Sequence, residues 1–328
     1  MSAPQNQGAT ELQGSHVPEI DFHEANADER IAAFTNIHEM WGGGRELDAF
    51  LTWRKSSPQH LRAKTCVGVL DGEVVTSLAC YPMTYCVNGE HRKGIAIGAV
   101  HTPPDHRGKG YAPRLMAWVE DAETQMGASY SLLYSDIKPE YYGRLGYIRC
   151  PNWQAYVPVE SLAEISAGAE RSSEAVVPES QLPELMQIYE KYHCRHGFGI
   201  HRDEAYWQYT IRKRPKDDLF WMLASNGERI GYGRIEWSGG EVRVTDFALS
   251  EASEVTLAML WQTAARRAAQ RNAGGLFGGW LPEDEGLREL FEYQPKDAEI
   301  TMVKPLGGAN CSEQLIASCH QLCEIDHI

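Results

Sequence analysis

At 328 residues the chain is too long for one ordinary compact core, which points to two domains of roughly 150 residues each. A hydrophobic fraction of 43% with 23% charged residues argues against a fibre or a disordered chain, and no apolar run approaches the ~20 residues a membrane span needs. The net charge of -14 argues against a nucleic acid partner, which needs a basic footprint, and favours a cationic acceptor such as an amine.

The opening stretch is polar, without the basic start and apolar centre of a leader, and predicts a cytoplasmic protein with a loosely held end over 1–22. Eight cysteines (Cys66, Cys80, Cys86, Cys150, Cys194, Cys311, Cys319, Cys323) are spread too thinly for a disulfide framework, so buried thiols in a reducing compartment are expected. Cys319, His320, Cys323 and His327 are spaced to share a helix face, but an amphipathic C-terminal helix is the expected reading, and no metal is expected. Arg212, Lys213, Arg214 and Lys216 read as a solvated helix end.

Taken in order, the pattern from Asp28 to about Phe50 is helical and broken at Trp41-Gly42-Gly43-Gly44. Thr65 to Leu70 and Val74 to Tyr81 flank Asp71-Gly72, a pair that closes a hairpin. Arg92 to Val100 reads as a strand running into a loop and a helix. That helix carries Leu115, Met116, Val119 and Ala122 on one face and Pro113 in its first turn, where a missing N–H costs nothing. A strand near 129–135, a short helix over 139–145 and a returning strand over 153–159 complete the unit. After a polar stretch the order repeats: helix 185–196, hairpin 220–237 about Asn226-Gly227, strand 242–249, helix 255–271, strand 275–281, short helix 286–291 and strand 299–305. An offset of about 145 residues is too long for a solenoid and reads as a duplicated domain. The expected organisation is a first unit over 23–162, a linker over 163–184, a second unit over 185–306 and a C-terminal helix over 307–328.

The units differ in the loop after the central strand, which is VHTPPDHRGKGYA in the first and LSEASEVTL, without glycine, in the second. Gly108 and Gly110 let the backbone turn so that successive N–H groups converge at a helix start, a geometry that binds phosphate. Arg107 and Lys109 add positive charge at the rim. A dinucleotide fingerprint would need a third glycine, and a Walker loop would need Ser or Thr where Gly110 stands. There remains Arg-x-x-Gly-x-Ala, spelled by Arg107, Gly110 and Ala112. The bland alternative is a shaped turn, with Tyr142 as a packed aromatic.

These residues resemble the signature of the GNAT acetyltransferase superfamily, Gln/Arg-x-x-Gly-x-Gly/Ala after the fourth strand. Tyr142-Gly143-Arg144-Leu145-Gly146-Tyr147 resembles that family's Tyr-x-x-x-Gly-Phe segment. The first unit is similar to the mycobacterial enhanced-intracellular-survival acetyltransferases, whose further sterol-carrier-like domain would not fit in the ~23 residues after Pro305. Leu133 to Ile137, with Tyr141 and Tyr142, is similar to fungal lysine N6-acetyltransferases. The resemblance implies an α/β (α+β) fold, a mixed central sheet flanked by helices, present twice, with acetyl-CoA as acyl donor. It implies Val100, His101 and Thr102 along the pantetheine and thioester, and Arg107, Gly108, Lys109, Gly110, Tyr111, Ala112 and Pro113 at the pyrophosphate. It gives Tyr142 the protonation of the departing thiolate, which suits a phenol that is neutral at pH 7.

An amine must shed a proton before it attacks, which costs roughly 4 to 5 kcal/mol at pH 7 for an alkylammonium of pKa ~10.4. The Glu that many family members place on the central strand has no counterpart in GIAIGAV. His101, Asp136 (otherwise a helix cap) and the carboxylate of Ile328 are left as bases. Trp41, Trp207, Trp237 and Asp246 are candidates to line a cationic acceptor pocket between the units. The expected activity is N-acetylation of a small primary amine such as lysine, a polyamine or an aminoglycoside. A protein lysine acetyltransferase and a non-catalytic acyl-CoA sensor are the alternatives. No nucleic acid or membrane partner is expected, and self-association is left open.

Overall fold

The computed structural model describes residues 19–167, 173–251, 256–319 and 322–328. Along them run strands β1 (Asp21–Glu24), β2 (Lys64–Leu70), β3 (Glu73–Val87), β4 (Glu90–His101), β5 (Tyr130–Ser135), β6 (Ile148–Arg149), β7 (Trp153–Pro158) and β8 (Ser173–Ala175). They continue as β9 (Phe198–Ile200), β10 (Asp218–Leu223), β11 (Arg229–Ser238), β12 (Glu241–Leu249), β13 (Gly275–Leu281), β14 (Gln294–Pro295) and β15 (Ile300–Pro305). Two mixed sheets result, ordered β1-β2-β3-β4-β5-β15-β6, with β9 along β3, and β14-β7-β13-β12-β11-β10-β8. The expected fold, a mixed sheet flanked by helices and present twice, is the one observed.

Local chemistry explains most elements. Asp71 and Gly72 both take positive φ, 51° and 82°, as a two-residue hairpin turn between β2 and β3 requires. The helix Tyr111–Gln125 connects the parallel strands β4 and β5 and buries Leu115, Met116 and Val119 against Ile95, Ile97 and Leu133. In the second unit the helix Leu257–Gln270 connects β12 and β13, which are also parallel. Its Trp261 packs so closely that a Cβ on Gly278 would lie 2.1 Å from the indole.

The unit boundaries need correction. β7 pairs antiparallel with β13 of the second sheet, and β15 pairs antiparallel with β5 of the first. Each sheet is thus completed by the strand that the sequence order assigns to the other. Both strands have six residues, and residue pattern does not say which open edge each will meet. Asn152 sits at the crossing: Nδ2 donates to Thr301 Oγ1 at 2.9 Å, and Oδ1 accepts from the Thr301 amide at 3.1 Å.

Other expectations change locally. The stretch 163–184 contains the end of the helix Val159–Ala167, then β8, then the start of the helix Pro178–Cys194, while 168–172 lies outside the described residues. Of the end expected to be loose, 1–18 lies outside the described residues, and Asp21 and Phe22 pair with β2. The C-terminal helix is short, Glu313–Ser318, and a 3-10 turn lies at Glu324–Asp326. Lys213 and Arg214 are half-buried and engaged: Lys213 Nζ donates to the carbonyls of Ile325, at 3.0 Å, and His327, and Arg214 pairs with Glu236 and Glu324. The carbonyls of this tail need donors, and the helix end supplies them. Arg202, wholly buried, bridges Asp246 of β12 and Asp326 of the tail.

Cys66, Cys80, Cys150, Cys319 and Cys323 are buried thiols, whereas Cys86 and Cys194 are joined as a disulfide. His320 lies outside the described residues. Among the described residues no helix is long and apolar enough to cross a membrane.

Candidate active site

The site is built where β4 departs from regularity. Gly98 opposes Ala79 but His101 opposes Ser77, so β4 carries one more residue than β3, and Ala99 absorbs it at φ 49°. Such a bulge bends a strand and re-aims its side chains. β4 pairs with β5 only from Gly94 to Ile97, opposite Tyr130 to Leu133, and beyond that the parallel strands part and leave a wedge.

The chain then turns through Pro104–His106, where Arg107 Nε donates to the Thr102 carbonyl at 3.0 Å. Gly108 and Gly110 follow at φ 77° and 75°, with no atom within 4 Å of where a Cβ would stand, so conformation rather than crowding demands glycine. Gly110 caps the helix Tyr111–Gln125 without a side-chain hydrogen bond. Among the described residues the amides of Gly108, Lys109, Gly110, Tyr111 and Ala112 meet no acceptor. Five free donors at the positive end of a helix are the arrangement that anion binding requires. The second unit differs here: Thr256 Oγ1 caps its helix by accepting from the Met259 amide at 3.3 Å. Residues 252–255 of that loop lie outside the described residues.

A cleft of about 660 Å³ gathers these parts. Val100, His101 and Thr102 line it from the parted end of β4, Arg107, Gly108, Gly110, Tyr111, Ala112 and Pro113 from the turn and helix start, and Tyr142 from across the wedge. Lys109 and Asp136 do not line it. Met40 and Ile137, both exposed apolar side chains, and Tyr141 also line it. No periodic signal in the sequence distinguishes them.

Tyr142 stands on the short helix Pro139–Gly143, edge-on to Tyr141 and Tyr147 at 5.0 and 6.0 Å between ring centres. Burial, then the neighbouring Tyr141 and Asp136, pushes its phenol up to about 12, so it keeps its proton at neutral pH. The segment is anchored behind by Tyr147, whose hydroxyl donates to Glu120 Oε1 at 2.7 Å and accepts from Ser131 Oγ. Lys304 of β15 pairs with the same Glu120.

His101 is buried, its Nδ1 unpartnered, with the Trp41 ring edge-on at 6.4 Å between ring centres. Burial and then Arg107 lower its pKa, which favours the neutral imidazole. Asp136 does not cap the following helix, whose N-cap Lys138 makes no side-chain hydrogen bond. Burial and then Glu299 raise its carboxyl pKa. Ile328 packs at the start of the wedge: a Cβ on Gly98 would be 3.4 Å from Ile328 Cδ1. Of the four residues expected in an acceptor pocket, only Trp41 stands by the cleft. Trp207 and Asp246 are fully buried, Asp246 against Arg202, and Trp237 packs on the second core. In composition a core indole is indistinguishable from a binding one.

Residues 21–150 match the sequence model of the family described as acetyltransferase (GNAT) domain. These residues form a GNAT acetyltransferase domain. No curated protein matches the chain in sequence. In structure the chain is similar to a conserved Enterococcus faecalis V583 protein described as a probable N-acyltransferase, with TM-score 0.70 and 13% identity over 88% of this chain and 72% of that one. It is also similar to Eis1 of Mycobacterium abscessus, with TM-score 0.58 and 15% identity over 88% and 74%. Saccharomyces cerevisiae N-myristoyltransferase with bound myristoyl-CoA follows, with TM-score 0.55 and 12% identity over 92% and 87%. At these identities the likeness is one of fold, and it extends over both sheets.

Proposed function

We propose that the chain transfers an acetyl group from acetyl-CoA to the primary amine of a small molecule. One juxtaposition carries the reading: the turn and helix start that hold five unengaged amides line, through Gly108, Gly110, Tyr111 and Ala112, the same cleft as the parted end of β4 and Tyr142. The donor, when bound, supplies an activated thioester. The amides of Gly108 to Ala112, with Arg107, would hold its diphosphate, and Val100 to Thr102 would offer strand-edge groups to its pantetheine amides. Tyr142, across the wedge, would face its sulfur. A phenol near 12 lies well above an ordinary thiol at ~8.5, so Tyr142 steadies the developing thiolate by donating a hydrogen bond. His101, neutral and with a free Nδ1, takes the proton of the incoming amine.

The acidic surface and the tail support a small acceptor. His327 packs edge-on to Tyr134 at 4.6 Å and Ile328 lies against Gly98, closing the side of the wedge away from the turn.

The test is coenzyme A release with a panel of amines: lysine, polyamines, aminoglycosides and a histone-tail peptide. Tyr142→Phe should lower kcat about 10²- to 10⁴-fold on the preferred amine with the donor KM little changed. Unchanged turnover removes Tyr142 from the chemistry. A chain that binds donor yet acetylates none of the panel would favour the sensor.

A further inference from the structure

Away from the cleft, Cys86, His91, Glu190 and Cys194 each present one sulfur, nitrogen or oxygen atom, all within 4.8 Å of one another. Two regular elements build the cluster. Cys86 of β3 and His91 of β4 are directly opposed beside the Asn88-Gly89 turn, so both side chains leave the same face of the hairpin. Glu190 and Cys194 are four residues apart on the helix Pro178–Cys194, which stacks them on one face. Glu190 Oε1 lies 3.1 Å from Cys194 Sγ and 2.5 Å from His91 Nε2. Its other oxygen is 2.9 Å from Nδ1 of His201, just after β9.

A tetrahedral zinc ion with sulfur at ~2.3 Å and nitrogen or oxygen at ~2.0 Å sets its ligand atoms about 3.3 to 3.8 Å apart. The cluster needs little movement to meet that. Two thiolates, an imidazole and a carboxylate are a donor set zinc accepts. A second imidazole fixing the carboxylate is the outer support that metal ligands usually have.

In this structure Cys86 and Cys194 are joined as a disulfide, which is the oxidised form. We propose that the reduced chain binds one Zn²⁺ through Cys86, Cys194, His91 and Glu190, with His201 positioning Glu190. The ion pins the β3–β4 hairpin of the first sheet to the helix Pro178–Cys194, which packs on β12 of the second. A dithiol reductant opens the disulfide to two thiols and is itself oxidised to a disulfide. The ion then replaces the two thiol protons, which leave to solvent. A disulfide oxidant reverses this: the two thiolates give up two electrons, the S–S bond reforms and the ion departs.

The full-length chain, reduced and stripped of metal, is titrated with Co²⁺ and then with Zn²⁺. One cobalt ion per chain should bind, with a sulfur-to-cobalt band in the near ultraviolet and the visible bands of a tetrahedral ion, and zinc should displace it. Cys86→Ser and Cys194→Ser should each weaken binding by about 100-fold or more, and His201→Gln by about 10- to 100-fold with the sulfur band retained. Oxidised protein should take up none. Circular dichroism and thermal melting establish that each variant is folded. No cobalt uptake by the reduced chain, or a persisting sulfur band in a folded Cys86→Ser, Cys194→Ser double variant, overturns the proposal.

Discussion

Gly110 is where the anion site can be tested most directly. It sits at φ 75° with no atom within 4 Å of where a Cβ would go. Gly110→Ala therefore meets no clash and costs only the left-handed backbone penalty, about 1 to 2 kcal/mol of stability. Gly110→Glu carries the same penalty and adds a carboxylate at the mouth of five free amides. Against a diphosphate of about two charges some 5 Å away, water-like screening gives about 0.8 kcal/mol per charge, or about 1.7 kcal/mol in all. An effective dielectric of ~20 would multiply that by about four. The expected loss of coenzyme A affinity is then at least about tenfold for Glu. Alanine should lose no more than about threefold, since it adds no charge. Calorimetric titration with coenzyme A reads the affinities, and raising the salt should narrow the gap between the variants. Melting should fall no further in the Glu variant than in the Ala variant, because a carboxylate at a helix start is itself stabilising. A Glu variant that binds within about threefold of the Ala variant would refute the anion site.

Three further outcomes follow from the same geometry. Asn152→Ala leaves the buried Thr301 amide without its acceptor at the strand crossing and should cost about 1 to 3 kcal/mol in urea denaturation; no measurable loss would mean the crossing is held elsewhere. Arg202→Met strands Asp246 and Asp326 in the core and should cost about 3 to 5 kcal/mol, read by the same method, with a wild-type midpoint counting against the ion pair as a tether. For pH, the proposed base must be neutral to act, and the His101 pKa is lowered by burial and Arg107. At saturating substrates kcat should therefore hold as pH falls to about 6.5 and drop only below that, while Tyr142, near 12, adds no alkaline limb below about pH 10. An acid limb centred above pH ~7, or one unchanged in His101→Gln, would exclude His101 as the base.

The readable parts of the sequence were those in which local chemistry decides the outcome. Asp71-Gly72 forces a hairpin, Pro113 marks a helix start, and Gly108 and Gly110 announce a backbone that other residues adopt at a cost. Partner choice was not readable in this way. β7 and β15 present ordinary strand patterns, and only the three-dimensional edges decide that they exchange sheets. The inward turn of Lys213 was hidden for a related reason, because its acceptors are carbonyls more than a hundred residues away. Cys86, His91, Glu190 and Cys194 are likewise scattered along the chain, and pairing across a hairpin and along a helix turn brings them together.

The exchange also gives the second unit a part in the first unit's site. Lys304, on the strand that follows the whole second unit, pairs with Glu120, and Glu120 accepts from Tyr147 behind Tyr142. Without β15 the edge of β5 would stand open and the buried Glu120 would lose its cation, so the segment carrying Tyr142 depends on residues beyond 300. The second unit has LSEASEVTL and the Thr256 cap where the first has its glycine turn, yet its strands and those of the first unit complete each other's sheets, so the cleft of the first unit rests on a scaffold built by both.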